Sequence, residues 1–173
     1  MPVRRDVRDL HPKFQGLVGE WLRRCAAKGW LVLITETRRD DALQRAYWSR
    51  GRRPLADVAT LYRAQGLTPP TAAENLSTIT NAQTARDSWH YYGLALDFVP
   101  LYRAAAADWD YTPTDPADHW DEIEQAAEEL GFLWGGDWPT RKDRPHLEYH
   151  PARTLDEARA WAIAHPGAWE FPL

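Results

Sequence analysis

The sequence predicts an α+β domain, a small central antiparallel sheet with helices packed around it. Three observations carry this expectation. An apolar stripe at helical spacing opens the chain: Leu10, Phe14, Leu17, Val18, Trp21, Leu22 and Cys25. Short β-type runs, WLVLIT and LALDFV, lie far apart and are separated by helical or irregular sequence. Neither an internal repeat nor a linker divides the 173 residues, so residues 1–173 are expected to form one domain.

The first helix is placed from about His11 to Lys28, with Gly29 stopping it. Trp30–Thr35 follows as a buried strand. Asp40 can cap a second helix, Asp41–Ser49, ending near Gly51. Residues 52–78 lack sustained periodicity and contain Pro54, Gly66, Pro69 and Pro70; one short helix, Leu55–Ala64, interrupts a long excursion. Ser77–Asn81 reads as a strand.

After Gly93, Leu94, Leu96 and Phe98 face one side of a strand and Ala95, Asp97 and Val99 the other. An aspartate inside a strand needs a partner. Asp115–Pro116 opens another helix, with Trp120, Ile123, Ala127 and Leu130 on one face and Gly131 closing it. FLWGGDW supplies a strand and a turn, and HLEYH puts His146, Glu148 and His150 on one strand face. A capping box, Thr154 with Glu157, starts the last helix, which Pro166–Gly167 ends.

Net charge is −4, but the halves differ: residues 1–86 hold 15 Lys/Arg against 8 Asp/Glu, the remainder 6 against 17. The arginines are scattered, apart from Arg50, Arg52 and Arg53, and no nucleic-acid motif surrounds them, so no nucleic-acid partner is expected. The single Cys25 excludes an intramolecular disulfide. No apolar run is long enough for a membrane span. The start, MPVRRDVRDLHP, lacks the apolar core of a secretory signal, which implies synthesis in the cytoplasm without a signal peptide.

The chemistry concentrates in SWHYYGLALDF (Ser88–Phe98) and DRPHLEYH (Asp143–His150). Two imidazoles and one carboxylate form a typical ligand set for a catalytic zinc, which keeps its fourth position for water. A further, unligated carboxylate beside that water would act as general base. The sequence therefore points to a hydrolytic Zn2+ site in a groove on the sheet.

These segments resemble the zinc peptidases that cut peptidoglycan stem peptides, the D-alanyl-D-alanine carboxypeptidases, D-Ala-D-Ala dipeptidases and L-alanyl-D-glutamate endopeptidases. Their signature, SxHxxGxAxD followed by an acidic residue, two residues and His, is matched at Ser88, His90, Gly93, Ala95 and Asp97, then at Asp143 and His146. ITETRRDDALQRAYWSRGR resembles the family's strand-to-helix segment, and ITNA and LGFLWGGDWPTRKDRPH resemble the endopeptidase branch with its phage endolysins.

The resemblance implies that His90, Asp97 and His146 are the zinc ligands. It further implies that Asp143 is the general base and that Arg39, five residues before Gln44, steadies the scissile carbonyl. Ser88 would orient the ligand loop, and Gly93 would permit the turn between ligands. Tyr91, Tyr92 and Trp138 are candidates for the substrate groove, with packing in the core as the alternative. Glu148 is the rival base and Arg38 the rival of Arg39; motif position favours Asp143 and Arg39. His150 as a fourth ligand would close the site.

The implied function is zinc-dependent hydrolysis of the L-alanyl-D-glutamate bond of stem peptides by a monomer. The implied setting is the cell wall, reached with a holin if the chain is phage-encoded. The alternatives are a D-alanyl-D-alanine carboxypeptidase on the same site, or a non-catalytic wall- or peptide-binding module with a structural metal.

Overall fold

The computed structural model describes residues 3–102, 106–107 and 119–173. The helix start expected at Asp115–Pro116 lies outside them. Five α-helices are described: α1 (Pro12–Ala27), α2 (Asp41–Ser49), α3 (Leu55–Ala64), α4 (Trp120–Glu128) and α5 (Leu155–Ala164). The strands are β1 (Val32–Glu36), β2 (Ala95–Tyr102), β3 (Ala106–Ala107), β4 (Leu133–Trp134) and β5 (His146–Glu148). They pair antiparallel in the order β1-β2-β5-β4, with β3 beside the far end of β2. The predicted α+β class is what the chain adopts.

One face of the sheet is the core. Phe98 meets Trp21 of α1 and Trp120 of α4 with ring centroids 5.1 and 5.2 Å apart. Burying such rings supplies most of the driving force for this packing. Trp21 also donates its indole hydrogen to the Ile123 carbonyl at 2.9 Å, tying α1 to α4. Phe14, Val18, Trp21 and Cys25 form the buried stripe of α1, as their spacing predicts.

The opposite face carries the polar residues. Alternation in β2 sends Asp97 there, away from Leu96 and Phe98, and Asp97 pairs directly with His146 of β5. On the other side, the register of β1 slips between Ile34 and Glu36, so that Ile34 opposes Phe98 while Glu36 opposes Asp97. A bulge of this kind re-aims one side chain. Here it delivers Glu36 to the face of Asp97, where an unbroken register would have placed Thr35.

The helix before the long excursion and the one that interrupts it both form where expected. Asp40 caps α2 by accepting from the amides of Ala42 and Leu43, and α3 packs on α2 through Ala46, Val58 and Tyr62. The strand expected at Ser77–Asn81 does not form. Side chains take its acceptors instead: Arg52 binds the Thr80 carbonyl at 2.9 Å, and Arg141 binds the Thr78 carbonyl. The segment is thus a wall held by arginines, not part of the sheet. Among the described residues no helix is long and apolar enough to cross a membrane.

Candidate metal centre and its groove

A groove of about 670 Å³ opens over the polar face of the sheet, lined among others by Arg39, His90, Asp97, Trp138, Asp143 and His146. This volume suits a peptide-sized ligand. Sequence reasoning named all six.

Each imidazole is fixed by a hydrogen bond on one nitrogen and offers the other. His90 directs Nδ1 to the Thr37 carbonyl at 2.6 Å, leaving Nε2 3.3 Å from Asp97 Oδ1. His146 directs Nε2 to Glu148 Oε2 at 3.0 Å and Nδ1 to Asp97 Oδ1 at 3.1 Å. Donor atoms of the three residues all lie within 4.8 Å of one another. Around a tetrahedral zinc with bonds of about 2.0–2.2 Å, donors stand roughly 3.3–3.5 Å apart, and the two histidine nitrogens stand close to that from Asp97 Oδ1, at 3.3 and 3.1 Å. The outer partners fit as well, since histidine ligands generally donate their second N–H to a carboxylate or a backbone carbonyl.

Electrostatics describe the same centre before a cation enters. Burial alone would raise the Asp97 carboxyl, but His90 and His146 hold it well below its usual range. Burial opposes charge on His146, yet the hydrogen bonds to Asp97 and Glu148 push it up to about 10.

Two glycines let the ligand segments approach. Gly93, with φ 65°, turns the chain between His90 and β2; a Cβ there would fall 2.7 Å from the His11 backbone nitrogen. At Gly135 a Cβ would strike the Asp143 carbonyl oxygen and stand 3.1 Å from His146 Cβ. Gly135 instead accepts the Asp143 amide at 2.9 Å, which sets Asp143 beside the triad. Burial, followed by the charge of Asp97, raises the Asp143 carboxyl above its usual value.

Arg39 is buried, bonded to Glu36 Oε1 and, at 3.0 Å, to Gln44 Oε1. Its Nη2 stands 3.6 Å from Asp97 Oδ2. The five-residue interval between Arg39 and Gln44 thus corresponds to a contact. Gln44 in turn donates to the Ala82 carbonyl at 2.6 Å, bracing the groove wall. Arg38 points elsewhere, over the Trp169 ring at 4.3 Å.

Ser88 lines the groove and its Oγ stands 3.4 Å from the His90 amide nitrogen. Trp138 lies 5.1 Å from the His146 ring. Tyr92 is in the core, with no exposed surface and its hydroxyl on the Arg86 carbonyl, so it does not line the groove. His150 stacks on Trp89 at 4.1 Å and bonds Glu148 Oε1 at 2.9 Å, outside the donor triad.

Sequence reasoning missed Glu36, Thr37 and Arg141. Glu36 had a signal, a charged residue ending an apolar run three positions before Arg39. Thr37 acts through its backbone, which side-chain identity does not reveal.

A family model described as D-alanyl-D-alanine carboxypeptidase matches residues 81–149. The Bacillus subtilis peptidoglycan L-alanyl-D-glutamate endopeptidase CwlK is 31% identical over 146 residues, 83% of this chain and 75% of that protein. An L-alanyl-D-glutamate peptidase of Listeria phage A118 is 39% identical over 69 residues, 40% of this chain and 23% of that one. Two solved structures share the fold. The Serratia marcescens L-Ala D-Glu endopeptidase ChiX does so with TM-score 0.51 and 24% identity, over 87% of this chain and 90% of that one. For the vancomycin-resistance D,D-pentapeptidase VanY in complex with Zn(II) the values are 0.52 and 15%, over 87% and 78%. Identity at this level across three quarters of the Bacillus relative settles the kinship: the chain belongs to the peptidoglycan peptidases that comprise the D-alanyl-D-alanine carboxypeptidases and the L-alanyl-D-glutamate endopeptidases.

Proposed function

We propose that the protein is a zinc metallopeptidase that hydrolyses the L-alanyl-D-glutamate bond of peptidoglycan stem peptides. The observation that carries this reading is the His90–Asp97–His146 donor set, open to a groove that Asp143 also lines. Three protein donors leave a coordination position for water, which separates a catalytic zinc from a structural one. The non-catalytic binding module would call for a fourth protein ligand; His150, the candidate from the sequence, is instead engaged with Glu148 and stacked on Trp89.

In this reading His90, Asp97 and His146 hold the zinc, which when bound supplies Lewis acidity and lowers the pKa of water from 15.7 to about 7. Asp143 accepts a proton from the attacking water and delivers it to the leaving amine. Its burial suits that role, since a raised carboxyl holds a proton more readily than a free one. Arg39, locked by Glu36 and Gln44, presents a fixed positive charge for the oxyanion. Fixed charges cost no reorganisation as the transition state forms. Ser88 orients the His90 loop, and Trp138 offers an apolar wall to the peptide.

The choice of bond rests on the endopeptidases among the similar proteins. The chain is read as a single catalytic domain acting on the cell wall as a monomer. Digestion of purified peptidoglycan by the zinc-loaded protein tests this. New amino termini on D-glutamate are expected, while free D-alanine as sole product would assign the carboxypeptidase alternative.

A further inference from the structure

Arg141 differs from the other arginines of the groove. Its guanidinium is held by neutral acceptors only: Nη1 by Asn81 Oδ1 at 2.9 Å and Thr78 Oγ1 at 3.3 Å, Nη2 by the Thr78 carbonyl. Among the described residues no carboxylate forms an ion pair with it, whereas Arg39 is ion-paired with Glu36 and faces Asp97. Arg5, the remaining arginine of the lining, is tied through one bond to the Thr35 carbonyl. Arg141 is thus an exposed cation fixed in place without a counter-ion.

Its backbone carries a cost. Arg141 has φ 54°, in the left-handed region that residues other than glycine rarely occupy. Such a conformation persists only where surrounding contacts impose it, and it collects at binding and catalytic sites. The guanidinium itself is held by Thr78 and Asn81 of the groove wall. The side chain is therefore ordered before ligand arrives, which reduces the entropy lost on binding. A guanidinium with unused N–H donors matches a carboxylate in shape and charge.

Position supplies the ligand. Arg141 precedes Asp143 by two residues, so their Cα atoms are at most about 7 Å apart. Asp143 serves the leaving amine in the proposed reaction, and in an L-alanyl-D-glutamate substrate that nitrogen is bonded to the carbon bearing the glutamate α-carboxylate. Resting on the endopeptidase reading above, we infer that Arg141 recognises this free α-carboxylate and sets specificity on the amine side of the scissile bond.

The test compares two soluble stem peptides, identical except that the D-glutamate α-carboxyl is free in one and amidated in the other. Steady-state constants are measured with zinc-loaded wild type, Arg141→Gln and Arg141→Lys. A charge-assisted contact of this kind corresponds to about ten- to hundredfold in affinity. The wild type should prefer the carboxylate, and Arg141→Gln should erase most of that preference, chiefly through KM. Arg141→Lys should fall between them, keeping charge without the fork. Because each variant is judged by its own ratio for two substrates, a general loss of folded enzyme cancels.

An equal loss on both peptides would reduce Arg141 to a brace for the wall and overturn the inference alone. So would an unchanged ratio in Arg141→Gln. Failure of the wild type to cut either peptide at this bond would instead remove the endopeptidase reading, and the inference with it.

Discussion

Glu148 Oε2 stands 3.0 Å from His146 Nε2, while Glu148 Oε1 stands 2.9 Å from His150 Nε2. Burial works against a charge on Glu148, yet the two histidine hydrogen bonds hold its carboxyl at about 2. A carboxylate so occupied orients His146 and is a poor proton acceptor. Asp143, raised by burial, is the opposite case. The two acids that sequence left in competition thus have different chemical environments.

Exchange of each for its amide separates the two roles. Asp143→Asn should lower hydrolysis by about 10²–10⁴-fold with zinc still bound. Glu148→Gln should weaken zinc about 10–100-fold, because it loosens the partner of a ligand. Zinc titration and peptidoglycan hydrolysis on the same preparations check both. An active Asp143→Asn beside a zinc-replete but dead Glu148→Gln would reverse the assignment.

Arg39→Lys keeps the charge but cannot bond Glu36 and Gln44 together. Its kcat should fall about 10²–10³-fold, the range for losing an oxyanion donor, with zinc content unchanged. Gln44→Ala should cost less, since Glu36 still holds Arg39. Steady-state kinetics beside metal analysis give the comparison.

Gly135→Ala brings a methyl group against the Asp143 carbonyl and His146 Cβ. Overpacking of this kind costs about 1–3 kcal/mol. The variant should melt earlier than wild type and, where folded, show reduced kcat because the base moves. Thermal melts and kinetics at a temperature where both proteins are folded separate the two effects.

Glu124 predicts a pH dependence away from the centre. Burial, then the hydrogen bond and charge of Glu128 and the charge of Asp137, push its carboxyl from 4.5 up to about 8. The folded state therefore binds more protons than the unfolded chain across that window. Stability from this group is complete below the unfolded value and falls as pH rises through 8, by at most about 1.4 kcal/mol per unit. Glu124→Gln should flatten the decline, with melting temperatures converging on wild type below about pH 4.5 and exceeding it by a margin that grows up to about pH 8.

What could be read from sequence was what periodicity and side-chain identity encode. The buried stripe of α1, the Asp40 cap and the Thr154–Glu157 capping box are local patterns, and the structure repeats them. His90, Asp97 and His146 were legible because a motif fixes their intervals. Ser77–Asn81 misled because its local sequence says nothing of the arginines that take its carbonyls. Tyr92 misled because adjacency to His90 does not show which side of the turn a ring occupies. Glu36 depends on a register slip in β1 that no local pattern announced.

Anomalous diffraction at the zinc edge, from crystals of the zinc-loaded protein, tests directly whether His90, Asp97 and His146 hold the zinc. One peak is predicted, bounded by His90 Nε2, His146 Nδ1 and the Asp97 carboxylate, with Glu148 on the far nitrogen of His146. A peak among His146 Nε2, Glu148 and His150, or none at Asp97, would contradict the account.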